Sequence, residues 1–350
     1  MNSVYTGCWS ALVTTFKEDY TIDWDEFQRL IEFQVEEGIT GVLPMGTTGE
    51  SATVTHDEHS QVIEKTVEYA EGDCMVLAGT GSNSTEEALH ETQLAQDVEV
   101  DACLLVDCYY NKPSSIMLKE EYYTPILAKY SDMDFIAYAI PGRSVTVLAP
   151  EDLALLRHSF QNLVAVKEAT GDFDRMRLTR SLVDDDFNII SGDDPNTYTM
   201  MSETLICSSG VISVISNICP QAIEDMTRLL LAGEKEKAKE IDDALSPLFE
   251  VVGVKTVEDV TLPTGDIARV KYSHPNPVPI KTMMRGLGMI SQGCKRPLGL
   301  LPDSGVNKVR KALREVWDTD QKYLQPIEGF FDVDLEDRLT QDKYWSGLSY

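Results

Sequence analysis

The sequence predicts an α/β chain closed into a (β/α)8 TIM barrel and followed by a C-terminal helical region. Three observations carry this expectation. From residue 8 to about 217, short apolar or β-branched runs alternate with amphipathic helical stretches. Eight such runs occur, the number that closes a parallel barrel. The runs are apolar almost throughout, as strands covered on both faces are. An open doubly wound sheet is the competing architecture. Against it, GxGxxG is absent, "GTGSNS" (79–84) having only the first two glycines, and "GTTGES" lacks the lysine of a phosphate-binding loop.

The runs, in order, are "CWSALVTTF" (8–16), "GVLPMG" (41–46), "CMVLAGTG" (74–81) and "DACLLVDCYY" (101–110). They continue with "DFIAYAI" (134–140), "LVAVKEA" (163–169), "FNIISGD" (187–193) and "GVISVIS" (210–216). Between them lie helical patterns such as "WDEFQRLIEFQVEEG" and "TEEALHETQLAQDV", which begin near capping residues Asp23 and Ser84. Residues 220–252 read as two helices broken near Gly233, and 253–279 as an irregular stretch rich in turn formers. "IKTMMRGLGM" and "DSGVNKVRKALREVW" are helical. The expected organisation is a barrel core over 1–219, a helical region over 220–317 with an irregular insertion near 253–273, and an acidic, aromatic tail over 318–350. That tail is expected to lie on the body or on a neighbouring subunit.

Composition narrows the function classes. With 43% hydrophobic residues among 350, the chain can build a large core. A net charge of -28 argues against binding nucleic acid or an anionic membrane through bulk charge. No apolar run reaches the length of a membrane-spanning helix, and the N-terminal stretch reads as a first strand rather than a signal peptide. The seven cysteines are scattered, form no CxxC pair and have no histidine at ligand spacing. Reduced thiols in a cytoplasmic protein, with no metal site, are expected.

In a barrel the C-terminal strand ends form one rim, where active sites sit. The rim collects Thr14, Thr15, Gly46, Thr47, Thr48, Gly79, Gly81, Tyr109, Tyr110, Tyr138, Arg143, Lys167, Gly192, Asp193 and Ser213. Lys167 ends the apolar run "LVAVKEATGD". Desolvation there lowers an amine's pKa, and a neutral amine forms Schiff bases with ketones. The plain alternative is a lysine paired with Glu168 or another carboxylate. Strand alternation weakens it, because Glu168 should face away from the interior. Tyr138 can move protons during carbinolamine formation and collapse. Arg143 can clamp a carboxylate through two hydrogen bonds. The "GTTGE" turn offers backbone N–H groups and two hydroxyls to a small carboxylate.

The motifs "GTTGES" (46–51), "YYN" (109–111), "YAIPGR" (138–143), "KEATGD" (167–172), "SGDD" (191–194) and "GVISV" (210–214) occur in this order. They resemble the dihydrodipicolinate synthase/N-acetylneuraminate lyase family of Schiff-base-forming barrels. "PNPVPIK" and "PDSGVNKVRKAL" extend the likeness to about residue 315. The resemblance implies that Lys167 forms an imine with pyruvate and that Tyr138, Thr47 and Tyr110 relay protons, Tyr110 reaching across a subunit interface. It implies that Thr47 and Thr48 hold the pyruvate carboxylate. Arg143 then binds the carboxylate of aspartate semialdehyde, and Gly192 and Ile212 supply backbone groups near the imine.

The implied reaction condenses pyruvate with L-aspartate semialdehyde in lysine and diaminopimelate biosynthesis, with no cofactor. The implied assembly is a homotetramer built from dimers. Arg143 favours this reaction over that of N-acetylneuraminate lyases. Another pyruvate aldolase of the family, or a keto-acid-binding barrel without turnover, are the alternatives. Ser51, Ala52, His56, His59, Asn83, Glu87 and Tyr109 match a lysine-sensitive pattern, which implies feedback inhibition by lysine. The chain departs from the family at Ala139, where asparagine is usual, and at Asp107 and Cys108, where Thr-Pro is common. The second departure bears on the turn that carries Tyr110.

Overall fold

The structure, a computed structural model, describes residues 5–350. Eight parallel strands close into a barrel in sequence order. They are β1 (Gly7–Ala11), β2 (Gly41–Leu43), β3 (Met75–Gly79), β4 (Ala102–Val106), β5 (Asp134–Ala139), β6 (Leu163–Glu168), β7 (Asn188–Ser191) and β8 (Gly210–Ser213). β8 pairs back onto β1, Trp9 opposite Ile212. A helix follows each strand: α1 (Trp24–Glu36), α2 (His56–Ala70), α3 (Thr85–Asp97), α4 (Thr124–Lys129), α5 (Pro150–Ser159), α6 (Phe173–Leu182), α7 (Thr197–Ser202) and α8 (Pro220–Leu231). Asp23 caps α1 by accepting from Glu26 N, and Thr55 and Glu58 form a capping box on α2.

Alternation along the strands splits the apolar residues into two populations. Trp9, Leu43, Leu77, Leu104, Ile136, Ala165, Ile190 and Ile212 pack together inside the barrel. Their neighbours, such as Val42, Cys103, Ala137 and Val166, belong to the layer beneath the helices. This is why the runs read as continuously apolar. The floor is closed by the Trp9 indole, which lies where a Cβ on Gly41 would stand (2.4 Å from Trp9 Cδ1).

The strands stop earlier than the apolar runs. Pairing in the first run ends at Ala11, and the rim hydroxyls beyond it serve the loops. Thr14 donates to Gly49 O at 2.6 Å and Thr15 to Asp23 O at 2.7 Å. Neither lines the cavity described below.

Beyond the barrel come α9 (Lys235–Phe249), α10 (Val278–Leu287) and α11 (Asp303–Thr319). Gly233, at φ +80°, breaks the chain between α8 and α9. Residues 253–273, expected to be irregular, instead form an antiparallel hairpin, β9 (Val254–Thr261) with β10 (Ile267–His274). Its tip holds Pro263, Thr264, Gly265 and Asp266, with Gly265 at φ +88°, and Pro275, Asn276 and Pro277 follow its second strand. Val254 and Thr256 are buried, and Ser304 of α11 donates to Glu258 Oε1 at 2.5 Å.

The tail forms α12 (Gln325–Phe331) and α13 (Leu335–Thr340) and lies on the body. Phe331 packs on Phe33 of α1, ring centroids 5.3 Å apart. Trp345 sits against Gly286 of α10, and Trp317 donates to Glu336 Oε2 at 2.9 Å. Among the described residues no helix is long and apolar enough to cross a membrane.

Candidate active site

A cavity of about 290 Å³ opens at the C-terminal rim, lined in part by Thr47, Tyr138, Arg143 and Tyr109. The inward period on β5 runs from Ile136 to Tyr138 and on β6 from Ala165 to Lys167. Tyr138 and Lys167 are register partners, and the Lys167 ammonium nitrogen stands 4.4 Å from the Tyr138 ring centroid.

Glu168 takes the opposite face. Its carboxylate accepts from Arg175 Nε at 3.1 Å and from Thr170 N at 3.2 Å, behind the barrel wall. Among the described residues no carboxylate lies within ion-pairing distance of Lys167, whose side chain is buried. Desolvation lowers its pKa to about 7; Asp194 opposes that shift and Arg143 adds to it. Asp194 is itself fixed by Val214 N at 2.9 Å and by the Ser213 hydroxyl. Burial pushes the Tyr138 phenol up to about 12, while nearby Arg143 and a hydrogen bond with Thr47 pull it down. A phenol kept protonated by its raised pKa beside a lysine whose pKa is lowered to about 7 has the chemistry of a proton donor next to a nucleophile.

Gly192 packs directly against the lysine stem. A Cβ there would stand 3.0 Å from both Lys167 Cε and Cγ. Ile212 is buried inside the barrel on β8. Thr48 is buried and accepts from Asn276 Nδ2 at 2.8 Å, and Arg143 Nη2 donates to Asn276 O at 2.9 Å. Arg143 stands on a short helical turn, Pro141–Ser144, directly after β5.

Residues 4–316 match the Dihydrodipicolinate synthetase family. The chain belongs to that family. A 4-hydroxy-tetrahydrodipicolinate synthase of Endomicrobium trichonymphae is 38% identical over 312 residues, 89% of this chain and 98% of its own. The solved 4-hydroxy-tetrahydrodipicolinate synthase of Methylacidiphilum fumariolicum SolV superposes with a TM-score of 0.80 at 32% identity, covering 93% of this chain and 99% of its own. DHDPS from Cyanidioschyzon merolae, solved with lysine bound, superposes with a TM-score of 0.80 at 29% identity, covering 90% and 99%.

Other residues singled out in this dihydrodipicolinate synthetase family member fall in two places. Ser51, Ala52 and Tyr109 line the same cavity as Thr47. His56 and His59 converge on the buried Glu91 carboxylate, at 3.3 and 2.9 Å. Glu87 accepts from the Ser82 hydroxyl at 2.5 Å, and Asn83 is exposed. Tyr110 does not line the cavity of its own chain. It projects from the surface, 79% exposed, at φ +78°.

Asp107, the departure beside that turn, points away from the cavity. Its buried carboxylate accepts from the Tyr123 hydroxyl at 2.7 Å and from Leu148 N at 3.1 Å. Three groups at the site escaped the sequence reading: Asp194, Asn276 and the Glu50–Lys281 pair. Each stands in a motif quoted above, but sequence order does not show which side chain of a motif faces the lysine.

Proposed function

We propose that the chain is a Schiff-base-forming synthase that condenses pyruvate with L-aspartate semialdehyde to 4-hydroxy-tetrahydrodipicolinate, in lysine and diaminopimelate biosynthesis. The observation that carries the reading is the desolvated Lys167 amine beside the Tyr138 phenol, between two carboxylate receivers. The 38% identical relative, a 4-hydroxy-tetrahydrodipicolinate synthase, supports it.

On this reading the steps are as follows. Thr47 and Thr48 hold the pyruvate carboxylate, and the neutral Lys167 amine attacks the ketone carbon. Tyr138 donates a proton to the departing hydroxyl, and water leaves as the imine forms. Thr47 hands protons to and from the phenol, with Tyr110 of a neighbouring subunit completing the relay. Loss of a methyl proton gives the enamine, with the protonated imine as electron sink. The enamine carbon attacks the aldehyde of the second substrate, whose carboxylate Arg143 holds. The amino group of that substrate then displaces lysine as the ring closes. Gly192 leaves room for the lysine stem, and Gly192 and Ile212 offer backbone groups beside the imine.

The exposed Tyr110 suits a homo-oligomer, with a dimer as the smallest active unit. The cavity-side Ser51, Ala52 and Tyr109, with His56, His59, Asn83 and Glu87, suit a lysine effector site, and the lysine-bound relative supports that assignment. The seven free thiols suit a reducing, cytoplasmic setting.

Borohydride trapping decides the chemistry. With pyruvate, the mass of the adduct is expected on Lys167, and turnover is expected with aspartate semialdehyde. Turnover of a sugar acid alone would move the chain to another aldolase of the family. An unmodified lysine would leave a keto-acid-binding barrel.

A further inference from the structure

Asn276 follows the β10 strand and precedes α10, outside the barrel in sequence, yet it lines the rim cavity. Two contacts tie it to the site. Its side-chain Nδ2 donates to Thr48 Oγ1 at 2.8 Å, and its main-chain carbonyl accepts from Arg143 Nη2 at 2.9 Å. Among the described residues its buried Oδ1 has no hydrogen-bond partner. The segment around it is firmly held. Lys281 of α10 pairs with buried Glu50 at 2.5 Å, and Lys295 N donates to the other Glu50 oxygen at 2.8 Å.

We propose that Asn276 is a positioning residue that aims the Thr48 hydroxyl at the carboxylate of pyruvate, while its main chain separately steadies Arg143 for the second substrate. The inference rests on the reading of Thr48 as a pyruvate receiver. A threonine hydroxyl has one proton to give and two lone pairs to accept with. Because Asn276 supplies a proton to Thr48 Oγ1, the Thr48 proton is not taken up by Asn276 and stays free for another acceptor. A substrate carboxylate accepts it in a charge-assisted bond. An acceptor at position 276 would capture that proton and turn it away. The carbonyl that holds Arg143 belongs to the main chain, so side-chain substitution leaves it in place.

Steady-state kinetics of N276A and N276D, each also in a T48A background, test this. In the Thr48 protein, N276A is expected to raise the pyruvate KM by about two- to tenfold, the effect of one neutral hydrogen bond. N276D has the shape of the native residue and is expected to raise it roughly tenfold further, the effect of a misdirected charge-assisted bond. The KM for aspartate semialdehyde is expected to move less than about threefold, because the Arg143 contact persists.

In the T48A background the gap between N276D and N276A is expected to close. A gap that persists in full would mean charge repulsion alone and overturn the inference. So would N276D behaving like the native protein, or the two KM values rising together. If N276A fails to fold, N276D measured with and without Thr48 still decides. Normal trapping of pyruvate on Lys167 with no response at position 276 sinks this inference alone. Absence of trapping in the native protein sinks the functional reading and this inference with it.

Discussion

Lys167 and Tyr138 are register partners on β6 and β5, with the amine nitrogen 4.4 Å from the ring centroid. Two effects compete on that amine. A ring face attracts a cation by about 0.5–2 kcal/mol. Desolvation acts the other way and wins, leaving the pKa near 7.

The sign of the pH dependence follows. In the proposed reaction the nucleophile is the neutral amine, which is scarce below pH 7 and dominant above it. The rate of imine trapping with pyruvate is expected to rise from pH 6 to 8 and then level. Asp194 raises the amine pKa, so D194N is expected to move the midpoint to lower pH. A midpoint near the ordinary lysine range of about 10 would contradict the buried site. The same shift affects stability. Between about 7 and 10.5 the unfolded chain binds more protons here than the folded one, so this group adds stability as pH rises through that window.

Tyr138→Phe keeps the ring under the lysine and removes only the hydroxyl. The expected result is a kcat lower by roughly 10²–10⁴-fold, with pyruvate KM little changed. A parallel loss in KM would mean that the phenol binds rather than relays.

Gly192→Ala places a methyl 3.0 Å from Lys167 Cε and Cγ. The stem must swing out of its slot, so the trapping rate is expected to fall about tenfold or more, the penalty of misplacing the reacting atom. Far-ultraviolet circular dichroism is expected to be unchanged. A trapping rate equal to that of the native protein would show that the slot has slack.

Glu50 and Lys281 form a buried pair, 0% and 1% exposed, that pins the Gly46–Ser51 turn to α10. Removing one partner leaves the other charged and unpaired. K281M is expected to lower stability by about 3–5 kcal/mol in denaturant titration. The double variant E50Q/K281M is expected to recover much of that loss. Equal losses in the single and double variants would show that the charges do not couple.

Lysine added to the native enzyme is expected to inhibit it. H56A is expected to weaken that inhibition about tenfold, since a hydrogen bond to a charged ligand contributes about 1.5–3 kcal/mol. An unchanged rate at millimolar lysine would dismiss the effector assignment.

Sequence order alone determined the barrel, its eight strands and the identity of Lys167, Tyr138, Thr47, Thr48 and Arg143 as rim residues. These follow from local periodicity: apolar runs report burial, and a period of two tells which strand residues face inward. The hairpin at 254–274 stayed hidden because its strands are largely exposed and carry lysine, glutamate and arginine, so they lack the continuous apolar runs that mark the barrel strands. The sequence placed the tail on the body or on a neighbouring subunit but could not name its packing partners, because Trp345 and Phe331 are buried by helices distant in sequence.

Only the tertiary structure decided what surrounds the amine. Asp194 tunes it from β7's end, Gly192 shapes its slot, and Asn276 reaches Thr48 across 228 positions of chain. Such contacts depend on distances between strand ends, which barrel closure sets and no local pattern encodes. In the loop after β4 the structure turns Tyr110 outward, at φ +78°, and Tyr109 toward the cavity, although the two are adjacent and chemically alike.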